Sequence, residues 1–167
     1  GAMSLPRVLS LTPQNELQTE IAPAARILRG NHSRAHHKEI EQVRIHDLAA
    51  ELDIHFLPRS DSFTLRLHSN NEDFAVITCS KGPSGRELRI GKIIAPISGT
   101  GVHLHIFVDG SVLEIRANQT TFITARIYET PTGPLGIKLE GSVEDAVLDA
   151  WQMKAISPNR LTAPLCS

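Results

Sequence analysis

Cysteine is nearly missing from this sequence: Cys79 and Cys166 are the only two among 167 residues. Cys166 sits at the extreme end, where chains fray, so both are read as free thiols and no disulfide framework is expected. Aromatic residues are equally sparse at 4%, with a single tryptophan, which argues against an extended stacking platform. No apolar run approaches the roughly 20 residues a membrane-spanning helix needs, and no charged-then-apolar leader opens the chain. An excess of one charge is also lacking, with 17 Lys and Arg against 18 Asp and Glu. That balance gives no reason to expect nucleic acid or a membrane as a partner. No repeat of about 20–50 residues suggests a solenoid or propeller.

What is present is an ordinary globular composition, 41% hydrophobic and 21% charged, at single-domain length. Short alternating or β-branched runs recur between Gly, Pro, Asn and Asp punctuation. They predict strands near Val8–Leu11, Leu17–Glu20, Glu41–Ile45, Ala50–Phe56, Phe63–Leu67, Phe74–Cys79 and Arg86–Ile90. Further strands are predicted near Val102–Val108, Ser111–Ala117, Thr121–Tyr128, Leu135–Leu139 and Val143–Lys154. The one helix candidate is Ala24–Arg29, and polar Arg29–Lys38 reads as an exposed loop. The spacing fits an all-β protein, a sandwich or a barrel. Gly1-Ala2-Met3 reads as a protease-cleavage scar, with residues 1–4 a lead-in. Residues 157–167, with Pro158 and Pro164, read as a flexible tail.

Asp109-Gly110 between alternating apolar runs is a strong hairpin signal, because a type I′ turn needs positive φ at both central residues. A two-residue turn there pairs Val108 with Ser111, Ile106 with Leu113 and Leu104 with Ile115, all on a core face. A three-residue loop at Asn118–Thr120 then sets Ala117 against Thr121, Ile115 against Ile123 and Leu113 against Ala125. The opposite face carries His103, His105, Phe107, Val112, Glu114, Arg116, Phe122, Thr124 and Arg126, with His105 opposite Glu114 and Glu114 opposite Thr124. Three readings of this face stand open: a solvated or domain-contacting surface, a sugar-binding patch, and a metal site from His103, His105 and Glu114. The polar-surface reading is favoured. One carboxylate without a contrasting partner does not suit two-carboxylate glycoside chemistry, so no catalytic residue is assigned. Asp109 is read first as a turn former, and Trp151 as core or edge packing. His32, His36 and His37 read as solvated loop residues rather than ligands. Asn31-His32-Ser33 and Asn118-Gln119-Thr120 match the glycosylation sequon.

Phe107-Val108-Asp109-Gly110-Ser111-Val112-Leu113-Glu114-Ile115, followed by Ile123-Thr124-Ala125-Arg126-Ile127-Tyr128, resembles the signature hairpins of the C-terminal domain of family 32 glycoside hydrolases. Leu5–Leu11 resembles the strand entering that domain from the catalytic propeller. Ile21-Ala22-Pro23 through Ile27-Leu28-Arg29 resembles its linker, and Leu148–Met153 its closing strand. The resemblance implies an all-β, two-sheet antiparallel β-sandwich of jelly-roll or concanavalin-like type over residues 5–156, with an entry strand and linker at 5–38. It is implied to be fused to a five-bladed propeller, in a retaining β-fructosidase such as a β-fructofuranosidase, levanase or inulinase. The family's Arg-Asp-Pro motif, Glu-Cys pair and Trp-x-Asn-Asp-Pro-like opening are not in this sequence. No activity is therefore expected of the fragment alone, and no cofactor or metal. The implied role is an accessory domain packed on the propeller of the parent chain, which could be secreted or periplasmic. The alternative is a carbohydrate-binding module for fructan or fructose, and a homo-oligomer is possible. Candidate sugar or interdomain contacts are His103, His105, Asp109, Glu114, Arg116, Thr124 and Arg126. Arg116 departs from the family, which usually has Phe there; a cation at that place implies a wetter face or an acidic partner.

Overall fold

The computed structural model describes residues 5–13, 15, 17–46, 48–70, 72–82 and 85–154. Residues 1–4 and 157–167, and with them the scar, the tail and Cys166, lie outside the described residues. In chain order the strands are β1 (Arg7–Leu11), β2 (Leu17–Ile21), β3 (Arg29–His36), β4 (Arg44–Ile45), β5 (Ala49–Pro58), β6 (Phe63–Ser69) and β7 (Glu72–Gly82). They continue with β8 (Gly85–Ile90), β9 (Ile93–Ile97), β10 (Val102–Asp109), β11 (Val112–Ala117), β12 (Thr121–Arg126), β13 (Leu135–Glu140) and β14 (Val143–Met153). Short 3-10 turns cover Pro23–Leu28 and His37–Gln42.

Two six-stranded antiparallel sheets form the sandwich. The first runs β12-β11-β10-β5-β14-β3, the second β4-β13-β6-β7-β8-β9. Strict alternation explains why they close on each other. Along β5 the inward side chains are Ala50, Leu52, Ile54 and Phe56, all fully buried; along β6 they are Phe63, Leu65 and Leu67. Phe56 and Phe63 meet edge to face across the layers, with ring centroids 4.8 Å apart. Cys79 is buried in the same core as a free thiol. A separate two-stranded hairpin, β1-β2, leads into the domain.

Several expectations shift. The first hairpin turn is centred on Gly110-Ser111, since Asp109 pairs with Val112 and Val108 with Leu113. Positive φ falls at Gly110 alone (57°), the pattern of a type II′ turn with Gly first. The expected pairing is thus off by two residues, which preserves side-chain parity and so leaves the core face intact. The second hairpin has the expected register, Ala117↔Thr121 to Leu113↔Ala125. Its Asn118 takes a positive φ of 52° and its side chain accepts from the His103 amide at 2.8 Å. Its amide nitrogen donates to the Ser98 and Gly101 carbonyls, so this sequon's asparagine is committed to the fold. Residues 29–36 form edge strand β3 rather than a loop. The strand expected at Glu41–Ile45 shrinks to two residues behind a 3-10 turn, and β9 was not expected.

Candidate functional site

The outer face of the first sheet is built by the same alternation that buries its inner face. β5 places Glu51, Asp53 and His55 outward, between the core residues Leu52, Ile54 and Phe56. β10 lies beside it with His103 opposite His55, His105 opposite Asp53 and Phe107 opposite Glu51. Each imidazole reaches the carboxylate one step diagonally along β5. His103 Nε2 lies 2.6 Å from Asp53 Oδ1, and His105 Nε2 lies 2.7 Å from Glu51 Oε1.

Glu51 is the deepest charge of the described residues, 1% exposed. Arg29, at the start of β3, closes on it with two bonds, Nε to Oε2 at 2.7 Å and Nη2 to Oε1 at 2.6 Å. This parallel fork is the strong form of a guanidinium–carboxylate pair. Burial alone would push the Glu51 carboxyl up; the bonds from Arg29 and His105 outweigh it and hold the group below its ordinary range. Burial and the His103 bond act on Asp53 in the same opposed way, with the same downward result. The Arg29 guanidinium is in turn held above its usual value by its bond to Glu51. It also lies 3.8 Å over the Trp151 ring, which stacks on His32 at 4.8 Å. Trp151 therefore packs on the outer face, not in the core. His32 Nε2 meets Asp149 at 2.7 Å, with Arg34 at 3.7 Å from the same carboxylate.

The chain's own N-terminal segment covers the β10–β12 part of the face. Glu114, 3% exposed, accepts from the Leu5 amide at 3.0 Å and from Arg7 Nη2 at 3.5 Å. Arg7 also donates to the Thr124 hydroxyl at 3.2 Å and sits 3.5 Å over the Phe122 ring. Arg116 has Glu20 of β2 at 3.8 Å, which supplies the acidic partner its cation implied. Between this segment and the sheet remains a cavity of about 260 Å³, whose walls include Glu20, Arg26, Arg29, Asp53, His105 and Arg116.

The structure thus brings His103, His105 and Arg116 to one cavity. Glu114 and Thr124 serve the N-terminal hairpin instead. Phe107, not His105, stands opposite Glu114, and His105 stands opposite Arg116. His103, His105 and Glu114 consequently do not converge, and no group of three metal-ligating side chains suited to an ion occurs among the described residues. Asp109 ends β10 at the turn, and Arg126 is exposed, 5.8 Å over the Tyr128 ring. The centre of the site, Glu51, Asp53 and Arg29, was missed. Its legible trace was the alternation Glu51-Leu52-Asp53-Ile54-His55-Phe56, which sets acidic and imidazole groups on the face opposite a core stripe.

The family model for the C-terminal domain of glycosyl hydrolases family 32 matches residues 46–152. No curated protein is significantly similar in sequence. Among solved structures, sucrose-6-phosphate hydrolase from Lactobacillus gasseri is similar at a TM-score of 0.68 and 20% identity, over 90% of this chain and 33% of that one. Fructan 1-exohydrolase IIa (E201Q) from Cichorium intybus, in complex with 1-kestose, gives 0.67 and 18%, over 90% and 41%. A glycoside hydrolase family 32 protein from Bifidobacterium adolescentis gives 0.63 and 19%, over 92% and 26%. The chain spans well under half the length of each of these. The match covers β5 to β13 and nearly all of β14, with Glu51, Asp53, His103 and His105 of the polar face, and the chain belongs to the glycosyl hydrolases family 32 C-terminal domain family.

Proposed function

We propose that this chain is the accessory, non-catalytic sandwich of a β-fructoside-hydrolysing glycosidase and that it packs against a catalytic propeller elsewhere in its parent protein. The observation that carries this reading is the β1-β2 hairpin. Its inward side is fastened to the sandwich through Arg7, yet Val8, Leu9, Leu11 and Leu17 are 47%, 64%, 65% and 58% exposed. No third strand pairs with it among the described residues. A lone two-stranded hairpin is marginal in water, and exposed apolar strand edges are normally covered. A further strand and an apolar surface from upstream chain would satisfy both demands. The candidate contacts divide accordingly: Glu114, Thr124 and Arg116 hold the hairpin in place, and Arg126 is free to meet the neighbouring domain.

The electrostatics agree with a non-catalytic role. A glycosidase acid needs a carboxyl whose pKa is raised, whereas Glu51 and Asp53 are both held down. Hydrogen exchange in the parent protein and in this chain tests the packing. Residues 7–21 should exchange markedly more slowly in the parent, and equal exchange in the two would sink the proposal. Replacing Leu9 and Leu11 by Asp should lower the parent's melting temperature and leave that of this chain almost unchanged.

A further inference from the structure

The cavity under the N-terminal segment has a chemistry that the packing role leaves unused. Its floor is one row of cross-strand neighbours: Arg116 on β11, His105 on β10 and Asp53 on β5. With strands spaced about 4.8 Å, the two ends of that row lie roughly 10 Å apart at the backbone. Arg116 Nε is buried and has no hydrogen-bond partner. Such a donor carries an unmet desolvation cost unless something in the cavity accepts from it. At the other end, Asp53 Oδ1 receives His103, and the carboxylate's lone-pair capacity exceeds that one bond. Phe107, Ile21, Ala22 and Ala25 add apolar patches to the wall.

Charge selects the class of occupant. Three guanidinium groups (Arg26, Arg29, Arg116) face three carboxylates (Glu20, Glu51, Asp53), and both Glu51 oxygens are occupied by Arg29 and His105. An anion would meet Asp53 and Glu20, and a cation would meet Arg116 and Arg26. A neutral molecule whose hydroxyls both donate and accept suits both ends of the row, and its C–H faces suit the apolar wall. A volume of 260 Å³ falls just below the drug-sized range of about 300–1,000 Å³. We infer that this cavity binds a neutral polyol of monosaccharide size, with Arg116 donating to one hydroxyl and Asp53 accepting from another. The inference does not depend on the propeller: the site lies wholly within the described residues, so failure of domain packing leaves it standing.

The test is titration of this chain with D-fructose, D-glucose and myo-inositol, followed by NMR on the Arg116 Nε–H and the His103 and His105 rings. Inorganic phosphate and sodium chloride serve as the ionic arms. The expected result is a saturable shift of Arg116 Nε–H by at least one polyol, with millimolar affinity. Arg116→Phe, the residue usual in the family, should weaken binding by about tenfold or more. Asp53→Asn should do the same through the other end of the row. Unchanged melting and an unchanged amide spectrum outside the cavity identify variants that remain folded, and the unmodified chain's Arg116 resonance is decisive should either fail to fold. Three results would overturn the inference: an Arg116 Nε–H unmoved by decimolar polyol, shifts confined to the His32–Trp151 side, or saturation by phosphate alone.

Discussion

On the outer face of the first sheet, Glu51 is gripped by Arg29 and His105 beneath the N-terminal segment. On the outer face of the second, Arg66 of β6 reaches Asp73 at 2.5 Å and Glu140 at 3.0 Å, and Lys138 reaches Glu140 at 2.9 Å. In sequence the two sets look alike, as charged residues alternating with core residues along a strand. Their surroundings differ. The Glu51 side chain is 2% exposed, whereas Arg66 and Asp73 are 33% and 41% exposed. A buried pair interacts through a poor dielectric and depends on its partners being present; an exposed pair gains little over hydration and is screened by salt. The first cluster should therefore be structural and the second a solvated surface.

The largest break in this contrast should come from Glu51→Ala. It leaves Arg29 and His105 with no acceptor in a water-poor layer. Breaking a buried pair from one side costs about 3–5 kcal/mol, and the low end applies because Arg29 is a quarter exposed. A loss of about 3 kcal/mol should lower the melting temperature by roughly 6–12 °C for a chain of this size. Arg29→Met with Glu51→Leu should recover much of the loss, since the double change leaves no charge stranded. If single and double variants melt together, the pair is not coupled.

Acid should separate the same two faces less severely. Glu51 and Asp53 lie below their ordinary values of 4.5 and 3.8 when folded. Their stabilisation is complete above those values and is lost as pH falls through the lower, folded ones. The chain should thus weaken below about pH 4.5, with a step that added salt barely reduces. Glu51→Gln should flatten the upper part of that step. The change should be smaller than for Glu51→Ala, because a protonated carboxyl keeps its shape and one acceptor oxygen. A profile identical in Glu51→Gln would assign the acid sensitivity elsewhere.

These contrasts also show what the sequence could reveal. The core faces of β5, β6, β10, β11 and β12 were legible because inward residues repeat every second position. The same parity concealed a two-residue slip in the first turn, since no side chain changes face when the slip is even. Strand β3 was illegible for a different reason: at the sheet edge it buries little, and Arg29-Gly30-Asn31-His32-Ser33-Arg34 has no apolar alternation. Pro96 and Gly91 hid β9, another edge strand, where a missing donor is tolerated. The Glu51 cluster lay furthest from view. Its partners come from 22 and 54 residues away, and no local pattern links Arg29 to His105. The polar face could be inferred, but the organisation of its charges required the fold.

A smaller effect should appear where the N-terminal hairpin meets the sheet. Glu114→Gln keeps the shape and an acceptor for the Leu5 amide but removes the charge that Arg7 meets at 3.5 Å. Loss of a charge-assisted bond of this length should cost about 1 kcal/mol. The cost should fall on hairpin anchoring rather than on the sandwich. Hydrogen exchange should therefore quicken at residues 7–21 while β6, β7 and β13 keep their protection. Uniform acceleration would mean that the hairpin and sandwich open as one unit.

The smallest effect completes the contrast on the second sheet. Arg66→Ala removes two charge contacts, one to Asp73 and one to Glu140, as many as Glu51→Ala removes to Arg29. By a count of those contacts the two changes should do similar damage. By burial Arg66→Ala should be nearly silent, because Asp73 and Glu140 can turn to water once their partner is gone and the inward Leu65 and Leu67 are untouched. The expected melting temperature is that of the unsubstituted chain within measurement precision. Any residual difference should vanish at molar salt, where charges more than about 3 Å apart are screened. A loss comparable to that of Glu51→Ala, persisting in salt, would mean that the second sheet's outer face is covered in the working protein. The two faces would then differ only in which partner covers them.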